Sequence, residues 1–345
     1  MDDDSLSSTT INASITQNQI AVIGNGSWAT ALIKIILDNS DGHVTWWMRD
    51  SDTAEYIQCH GHNPKYLSSV EFDTQRITTT SDIHQAFAAS EIVILAVPSA
   101  FLHTVLSSVE LPLNKIYVSA IKGIEPNSKQ VIAEYLKQSH NIQLDQVVLI
   151  SGPCHAEEVA LEKLSYLTVS GFNSAWVNLI ANILKGKFIK VSTTQDLIGA
   201  EYAAVLKNIY AIGSGIAHGL GYGDNFQAIY VSAAIREMKS FLHEIHQDER
   251  DVKEAAYLGD LLVTCYSQFS RNRSFGNMLG KGYSVKSAQL EMNMIAEGYY
   301  ATDLIYQIAK SMNFKMPIIE AIHQVVYQNA IPRKVFKKLS EEELE

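Results

Sequence analysis

The chain is poor in cysteine, and the cysteines that it has stand alone. Cys59, Cys154 and Cys265 are the only three in 345 residues, and no two of them are close together in the sequence. Disulfide-stabilised secreted domains and cysteine-ligated zinc sites both require clustered cysteines. The sequence therefore predicts no disulfide framework and no metal site, and it favours a reducing compartment, the cytoplasm.

Positive charge is also scarce. The 27 Lys and Arg residues are outnumbered by 37 Asp and Glu residues, which gives a formal net charge of -10 at pH 7. Such a charge disfavours non-specific attraction to nucleic acid or to an anionic membrane surface. We therefore expect neither as a partner, and any basic binding site must be local.

Long hydrophobic runs of the kind that cross a membrane are missing as well. Two long windows without Asp, Glu, Lys or Arg, 92–109 and 164–184, are interrupted by Pro98, by Gly171 and by several serines and asparagines, unlike a membrane span. Residues 1–18 begin MDDDSLSSTT and contain no Lys or Arg, whereas targeting peptides are positively charged near their start. We expect no stable membrane insertion and interpret 1–18 as a disordered acidic tail.

What the sequence does contain is typical of a globular protein with two domains. Hydrophobic residues make up 47% of the chain and charged residues 19%, so a large core is available. In the first half, runs rich in Ile and Val alternate with helical stretches, which is typical of strands buried on both faces of a parallel sheet. The predicted strand runs are IAVIG, HVTWWM, IVILAVPS, IYVSAI, VVLISGP, YLTVS and FIKVS.

The second half lacks such runs and its pattern is helical. Long helical stretches are predicted over 200–217, 225–246 and 251–270. We therefore predict an α/β protein in which an N-terminal Rossmann-like doubly wound sheet is followed by an all-α C-terminal domain. The predicted boundaries are a Rossmann domain over 19–196, a helical domain over 197–335 and a charged C-terminal tail over 336–345.

A glycine pair follows the first predicted strand and opens a helix, in AVIGNGSWATALIKIIL. Gly24 permits a tight turn, Gly26 lets a pyrophosphate approach the N–H groups of the helix N-terminus, and Ala29 takes the third position of the dinucleotide fingerprint. The alternative is a glycine turn used for packing alone. The flanking strand and helix, at the start of the domain, favour nucleotide binding.

Two charged residues follow the second predicted strand, where dinucleotide-binding domains contact the ribose. An acidic residue there favours the ribose hydroxyl of NAD, and an arginine favours the 2′-phosphate of NADP. Both are present, as Arg49 and Asp50. Because Arg49 comes first, the sequence slightly favours NADPH over NADH; the alternative is a charged turn facing solvent.

Polar residues that could hold a phosphorylated ligand come later in the chain. Lys122 lies at the C-terminal end of a predicted strand, the edge at which open α/β sheets bind ligands. The stretch LGDLLVTCYSQFSRNRSFGNMLGKG combines Asp260, Arg271 and other polar side chains with glycines, a mixture suited to holding a phosphate. The alternative is a charged loop facing solvent.

One lysine stands in the apolar helix EYAAVLKNIYAIGSGIA. An ammonium among alanine, valine, leucine and isoleucine costs free energy unless something pairs with it or uses it, so Lys207 is a candidate catalytic group. Desolvation would lower its pKa from about 10.4. The alternative is a lysine whose charged end reaches solvent.

Taken together and in order, these motifs resemble the NAD(P)-dependent glycerol-3-phosphate dehydrogenase family from Gln19 to about Arg333. The resemblance rests on GNGSWATAL, NPKYL, AVPS, IKGIE, SGPCHAEEVA, EYAAVLKNIYAIGSGIAHGLGYGDN, GDLLVTC, SRNRSFGNMLGKG and AEGYYAT. It implies a C-terminal domain like that of 6-phosphogluconate dehydrogenase, an NAD(P) cofactor, and reversible reduction of dihydroxyacetone phosphate to sn-glycerol 3-phosphate for glycerophospholipid synthesis. Dimers are common among such relatives, which makes a homodimer the state to test.

The resemblance also implies roles for individual residues. Lys207 falls on the catalytic lysine, with Lys122 and Asp260 beside it. The substrate-binding positions are Lys122, Gly152, Asn208, Asp260, Thr264, Ser270, Arg271 and Asn272. With the glycine loop and Arg49, the cofactor-binding positions are Gly24, Gly26, Ser27, Trp28, Arg49, Tyr66, Lys122, Ala156, Arg271, Ile295 and Glu297. Lys207 would protonate the alkoxide that hydride transfer creates.

Three positions depart from the family pattern. Cys154 replaces the usual serine or threonine of the SGP turn, Ala233 replaces an arginine common in bacterial members, and Tyr257 stands before LGD where glycine is usual. Two other functions remain open from the residues alone. One is a Rossmann dehydrogenase acting on hydroxy acids, sugar acids or imines, and the other is a cofactor-binding sensor without catalysis.

Overall fold

The structure, a computed structural model, describes residues 19–292, 296–342 and 344. The predicted disordered tail, 1–18, and the predicted cofactor contact Ile295 lie outside the described residues. A sheet flanked by helices is followed by a helical domain. The predicted fold class is confirmed.

Ten strands form among the described residues, and eight of them make one sheet. They are β1 (Gln19–Ile23), β2 (His43–Trp47), β3 (Ile77–Thr80), β4 (Ile92–Leu95), β5 (Ile116–Ser119), β6 (Ile124–Glu125), β7 (Gln130–Val131), β8 (Val147–Ser151), β9 (Ser165–Ser170) and β10 (Ile189–Thr194). The sheet order is β10-β9-β8-β5-β4-β1-β2-β3, and β6 and β7 form a separate hairpin. Because the chain leaves β1 towards β2 and returns on its other side as β4, a ligand crevice is expected beyond the C-terminal ends of these strands.

Two features of the sheet differ from the sequence prediction. The prediction omits β3, whose sequence ITTT lacks an apolar run because this strand lies at the sheet edge and is only partly buried. It also expects a parallel sheet throughout, whereas β9 runs antiparallel to β8. Gly152, with φ +101°, turns the chain back beside residues 166–168, so the chain re-enters the sheet from the end at which it left.

Helices cover both faces of the sheet. They are α1 (Ser27–Asn39), α2 (Ser51–His60), α3 (Ile83–Ala88), α4 (Ser99–Leu106), α5 (Ile132–His140), α6 (Ala156–Ala160) and α7 (Ser174–Leu184). Along β1, Ile20 and Val22 belong to one buried cluster while Ala21 and Ile23 belong to another. The unbroken apolar sequence of β1 follows from this burial on two sides.

The helical domain is built around one buried helix. Its helices are α8 (Leu197–Gly219), α9 (Asp224–Ile245), α10 (Asp260–Tyr266), α11 (Arg271–Gly280), α12 (Val285–Glu291), α13 (Glu297–Ser311), α14 (Pro317–Tyr327) and α15 (Pro332–Glu342). In α8 every residue from Leu197 to Ala217 is buried, and α11 packs directly on it. A Cβ on Gly276 would overlap the carbonyl of Ile212, so only glycine allows this approach. Among the described residues, no helix is both long and apolar enough to cross a bilayer.

The helical stretch predicted over 251–270 is confirmed only for residues 255–266, and it begins with a π turn. Residues Ala255–Gly259 form one π-helical turn, α10 follows, and the chain leaves the helix at Ser267, whose backbone is extended. Gly259 is a poor helix former, so local preference does little to keep this stretch regular. Asp260 lies where the π turn passes directly into α10.

Residues 336–342, part of the segment that the sequence analysis treats as a charged tail, belong to a helix. The expected boundary at 335/336 falls inside α15, where Phe336 and Leu339 are buried. These two residues are one helical turn apart and share a face, while Lys337 and Lys338 are exposed. The charges therefore occupy the outer face of an amphipathic helix.

Candidate active site

A cavity of about 230 Å³ lies between the two domains at the C-terminal edge of the sheet. Its wall is made of the loops after β1, β4, β5 and β8 and of residues from α8, α10, α11 and α13. The predicted site residues that line it are Gly26, Ser27, Trp28, Lys122, Ala156, Lys207, Asn208, Asp260, Thr264, Ser270, Arg271, Asn272 and Glu297. The fold thus brings most of the candidates together.

The glycine loop after β1 has the shape of an anion cradle. Gly24 has φ +128°, and a Cβ there would lie 2.5 Å from the carbonyl oxygen of Ala96, so no other residue fits. Gly26 stands at the N-terminus of α1 and has no atom within 4 Å of a Cβ position. The indole Nε1 of Trp28 is buried and has no hydrogen-bond partner among the described residues. An open helix N-terminus and an unpaired donor fit the pyrophosphate of a dinucleotide.

A residue that the sequence analysis does not select holds this loop in place. The side-chain amide of Asn63 is fully buried and donates to the carbonyl of Asn25 at 3.0 Å and to the hydroxyl of Thr30 at 3.0 Å. Its amide oxygen accepts the N–H of Tyr66 at 3.1 Å. Asn63 opens the motif NPKYL, but its contact with the glycine loop depends on packing that the motif alone does not reveal.

Two lysines meet one aspartate at the centre of the cavity. The ammonium of Lys207, only 4% exposed, donates to Oδ1 of Asp260. Lys122 approaches the same carboxylate from the sheet domain, with 3.8 Å between its Nζ and Oδ2 of Asp260. That Oδ2 is buried and has no hydrogen-bond partner among the described residues. Two cations thus share one carboxylate beside an open cavity.

This setting changes the proton affinity of Lys207. Burial has the largest effect and lowers its pKa, Asp260 raises it, and Lys122 lowers it again, so that the net displacement is downward. Such a lysine can both give and take a proton nearer to neutral pH than a lysine in water can. Burial and local charges that displace a pKa inside a cleft are typical of a functional site.

His155 belongs to the same wall, although the sequence analysis does not select it. Burial, followed by the charges of Lys207 and Lys122, lowers its pKa to about 4. Its Nε2 is buried without a hydrogen-bond partner among the described residues. The imidazole is therefore neutral at physiological pH and adds no third positive charge to the centre. Only the stretch SGPCHAEEVA pointed to this segment.

The start of α11 supplies the group best suited to an anion. Ser270 caps this helix, and Arg271 is its first residue, with Nη2 3.5 Å from the hydroxyl of Ser27 in the glycine loop. The amide oxygen of Asn272 accepts the N–H of Gly298 at 2.9 Å, which fixes the orientation of the amide and leaves its nitrogen, a donor, for a ligand. A guanidinium and an amide donor at a helix N-terminus favour a phosphate.

Asn208 and Thr264, two further candidates, donate hydrogen bonds to backbone carbonyls beside the cavity. Asn208 donates to the carbonyl of Lys122 at 2.9 Å, which links α8 to the sheet domain. The hydroxyl of Thr264 donates to the carbonyl of Asp260 at 2.6 Å, within α10. Both side chains also line the cavity.

Glu297 joins the domains on the far side of the cavity. Its carboxylate accepts the N–H of Ser99 at 3.0 Å and the hydroxyl of Ser99 at 2.5 Å, at the N-terminus of α4. A Cβ on Gly123 would collide with both side chains, so this contact also requires glycine in the loop after β5. The partner residue, Ser99, lies 198 positions away in the chain, and no local signal pairs the two.

Four candidates lie outside the cavity wall. Gly24 and Gly152 shape the adjacent turns, Tyr66 is half-buried and bonded through its N–H to Asn63, and Arg49 is exposed just after β2. Asp50 is engaged within its own segment, because Thr53 donates to it at 2.6 Å and Lys65 at 3.1 Å, and these contacts lower the pKa of Asp50 to about 2. Of the two residues after β2, Asp50 is therefore engaged by neighbouring side chains, and Arg49 is exposed.

Known proteins of similar sequence and structure agree with this geometry. The family model described as NAD-dependent glycerol-3-phosphate dehydrogenase N-terminus matches residues 19–177, and the model of the C-terminus matches 196–337. The chain is 34% identical over 324 residues to glycerol-3-phosphate dehydrogenase [NAD(P)+] of Oceanobacillus iheyensis, covering 93% of each chain. It is 35% identical over 313 residues to the protein of that name from Bacillus licheniformis, covering 90% of each.

Among solved structures, the chain resembles glycerol-3-phosphate dehydrogenase of Coxiella burnetii. The TM-score is 0.88 at 28% identity, and the match covers 95% of this chain and 100% of the other. Both domains are therefore present in the same arrangement.

Proposed function

Since the chain belongs to the NAD-dependent glycerol-3-phosphate dehydrogenase family, we propose that it reduces dihydroxyacetone phosphate to sn-glycerol 3-phosphate, reversibly, with Lys207 as the general acid and base. The observation that carries the proposal is the meeting of Lys207, Lys122 and Asp260 at the wall of one cavity. Relatives of that name use NAD(P), and the glycine loop offers the cradle that such a dinucleotide needs.

The reaction needs one hydride and one proton. When bound, NAD(P)H supplies the hydride to the ketone carbon of the substrate. The carbonyl oxygen then carries a negative charge, and the ammonium of Lys207 donates a proton to it and becomes a neutral amine. In the oxidative direction the amine of Lys207 takes that proton back from the hydroxyl. The lowered pKa of Lys207 suits both directions.

The neighbouring charges orient this proton donor. Asp260 accepts one N–H of Lys207 and so directs the other two donors of the ammonium. Lys122 is held by the carboxylate of Asp260 and by the carbonyl of Gly152, at 3.8 and 3.5 Å, and it can stabilise the developing negative charge on the oxygen. The neutral state of His155 keeps the centre from becoming more positive.

The phosphate of the substrate is assigned to the start of α11. Arg271 and the amide nitrogen of Asn272 are the donors, and Ser270 offers a hydroxyl at the helix cap. Gly152, Asn208 and Thr264 complete the substrate side through the backbone contacts described above. The triose phosphate then spans from α11 to Lys207.

The cofactor is assigned to the opposite wall. Gly24 and Gly26 form the cradle with Ser27 and Trp28, while Ala156, Lys122 and Arg271 close the cavity. Glu297 and Ile295 are proposed contacts from the helical domain, and Tyr66 supports the loop. We favour NADPH slightly, because Arg49 is exposed whereas Asp50 is engaged by Thr53 and Lys65.

Several broader assignments remain proposals of the same kind. The cofactor domain is 19–196, and the substrate domain starts at 197 and extends through α15. The product supplies glycerophospholipid synthesis in the cytoplasm, and the protein works as a homodimer, as the family resemblance implies.

One assay separates this function from its alternatives. Oxidation of NADH and of NADPH is followed by nicotinamide absorbance with dihydroxyacetone phosphate, and with hydroxy and keto acids as comparison substrates. We expect turnover with the triose phosphate alone, and faster turnover with NADPH at low cofactor concentration. Turnover with an acid instead would identify a different dehydrogenase. Binding of NADPH, seen by its fluorescence, without turnover of any substrate would identify a sensor.

A further inference from the structure

Asp196 joins three segments of the helical domain through one buried carboxylate. It caps α8, where its Oδ1 accepts the N–H of Gly199 at 2.9 Å. Its Oδ2 accepts the hydroxyl of Tyr257 at 2.5 Å and Nε of Arg250 at 2.7 Å. Arg250 also donates to the carbonyl of His246, directly after α9, at 3.1 Å. Asp196 is 7% exposed and Tyr257 2%, so water does not compete for these bonds.

Tyr257 can influence the active site without touching it. It is the middle residue of the π-helical turn Ala255–Gly259 and stands three positions before Asp260. Asp260 lines the cavity, whereas Tyr257 is not part of its wall. Single π turns are frequent at functional sites. Because this turn leads directly into α10, a displacement of Tyr257 can be transmitted through the backbone to Asp260.

Three hydrogen bonds connect α8 and its capping residue with residues 257–265, and the bonded partners follow in the same order along the two segments. The pairs are Asp196 with Tyr257, Lys207 with Asp260, and Ser214 with the carbonyl of Cys265. The first is 2.5 Å long and the last 2.8 Å. The pair of Lys207 and Asp260 therefore lies between two other hydrogen bonds. Loss of the bond between Tyr257 and Asp196 would allow the start of residues 257–265 to shift along α8.

We infer that Tyr257 is a positioning residue, whose hydrogen bond to Asp196 sets the distance between the carboxylate of Asp260 and the ammonium of Lys207. The inference rests on the proposed function, in which Lys207 moves the proton. Position 257 is also one of the three at which the sequence departs from the family pattern, and glycine, the usual residue there, has no hydroxyl. The hydrogen bond between Tyr257 and Asp196 is a feature of this chain's own sequence.

The groups around Lys207 determine which measurement responds to a shift. Asp260 from α10 attracts its ammonium, while Lys122 from the loop after β5 repels it. His155 and the thiol of Cys265 also face it, but His155 is neutral at assay pH because its pKa is lowered to about 4, and burial raises the pKa of Cys265 to about 12. If Asp260 moves away, the attraction weakens, the repulsion stays, and the pKa of Lys207 falls.

The test compares Tyr257→Phe with Tyr117→Phe. Each removes one hydroxyl from a buried tyrosine; in Tyr117 it donates to the carbonyl of Pro112 at 2.8 Å, in β5 of the sheet domain. Titration of Lys207 is followed by NMR of protein carrying ¹³C at lysine Cε, with the signal assigned by its loss in Lys207→Met. Initial rates with dihydroxyacetone phosphate and NADPH are measured across the same pH range.

We expect Tyr257→Phe to lower the titration midpoint of Lys207 by about 0.5 pH unit or more. At neutral pH its kcat should fall about three- to tenfold, while KM for NADPH stays within about twofold. Tyr117→Phe should lower thermal stability without changing either quantity. As a second variant, Asp196→Asn keeps a helix cap but is a weaker acceptor for Tyr257, and it should move the midpoint in the same direction.

The outcomes that overturn the inference are distinct from failure of the proposed function. If Tyr257→Phe and Asp196→Asn both keep the wild-type midpoint and kcat, the hydroxyl only stabilises the fold and the inference is wrong. If the wild-type protein shows no turnover with dihydroxyacetone phosphate, the proposed function fails. The NMR comparison then still decides whether Tyr257 sets the position of Asp260 relative to Lys207.

Discussion

Replacement of Lys207 by methionine separates its catalytic contribution from its structural one. Methionine keeps the length and apolar packing of the side chain and removes the ammonium. Asp260, 1% exposed, then loses the cation that donates to its Oδ1. The nearest remaining cation is Lys122, whose Nζ is 3.8 Å from Oδ2 and whose side chain is 18% exposed. The variant therefore places a negative charge in a buried site with one loosely held partner.

The expected losses follow from these contacts. Removal of a general acid costs about 10²- to 10⁴-fold in kcat, which corresponds to about 2.7–5.4 kcal/mol of transition-state stabilisation. Removal of one partner of a buried ion pair costs about 3–5 kcal/mol of unfolding free energy. Because Lys122 stays close to Asp260, we expect the lower end, about 3 kcal/mol.

A second substitution distinguishes the two losses. In Lys207→Met/Asp260→Asn the uncompensated buried carboxylate is removed as well, so much of the lost unfolding free energy should return while kcat stays low. Urea unfolding, followed by circular dichroism, measures the stability, and nicotinamide absorbance with saturating dihydroxyacetone phosphate measures turnover. Lys337→Met is the matched control, because Lys337 is 69% exposed and its nearest acid, Glu341, is 3.8 Å away; it should lose less than about 1 kcal/mol and no activity.

Two results would refute this reasoning. Turnover of Lys207→Met within tenfold of wild type would show that another group moves the proton. A Lys207→Met protein as stable as Lys337→Met would show that the charge of Asp260 is not left uncompensated in the folded state.

Three further variants test the phosphate site, the cofactor preference and a buried acid. Arg271→Ala should raise KM for dihydroxyacetone phosphate about 10- to 100-fold, through loss of a charge-assisted contact; an unchanged KM places the phosphate elsewhere. Arg49→Ala should raise KM for NADPH about tenfold and leave KM for NADH within about twofold, and equal effects on both would contradict the 2′-phosphate contact. Burial raises the pKa of Glu201 to about 8, so the folded state keeps a proton that the unfolded chain releases, and stability should fall as pH rises from about 5 to 8. Glu201→Gln keeps an acceptor for the N–H of Ala133, which lies 3.2 Å from the Glu201 carboxylate. The urea midpoint of this variant should depend less on pH than that of the wild type, and an equal pH dependence would show that Glu201 is not the buried acid responsible.

Elements with a strong local pattern could be predicted from the sequence. The apolar run of β1 is buried on both faces, and Gly24 and Gly26 follow it because tight turns and close backbone approach are local steric requirements. The strand β3 could not be found in this way, because ITTT at a sheet edge carries little hydrophobic signal. The same limit applies to the direction of β9, since pairing with β8 is decided between strands and not within one.

The functional candidates divide along the same line. The lone ammonium in an apolar helix indicated Lys207, the strand end and the polar stretch LGDLLVTCYSQFSRNRSFGNMLGKG indicated Lys122, Asp260 and Arg271, and the family resemblance assigned the remaining positions. The contacts of Asn63 with the glycine loop and of Tyr257 with Asp196 are not evident from either. Each of these residues acts through a partner distant in the chain, and no periodicity connects such positions.

The sequence by itself determined the succession of buried strands and helices, the cradle for a dinucleotide and the presence of a single lysine in a largely apolar helix. These depend on side-chain period, backbone sterics and desolvation, which act over a few residues. Only the tertiary structure decided that Asp260, 53 positions further along the chain, accepts a hydrogen bond from the ammonium of Lys207. It also decided that Lys122, from the other domain, lies beside the same carboxylate. Proton affinity depends on these distances, and distances between remote segments are set by the packing of the whole core.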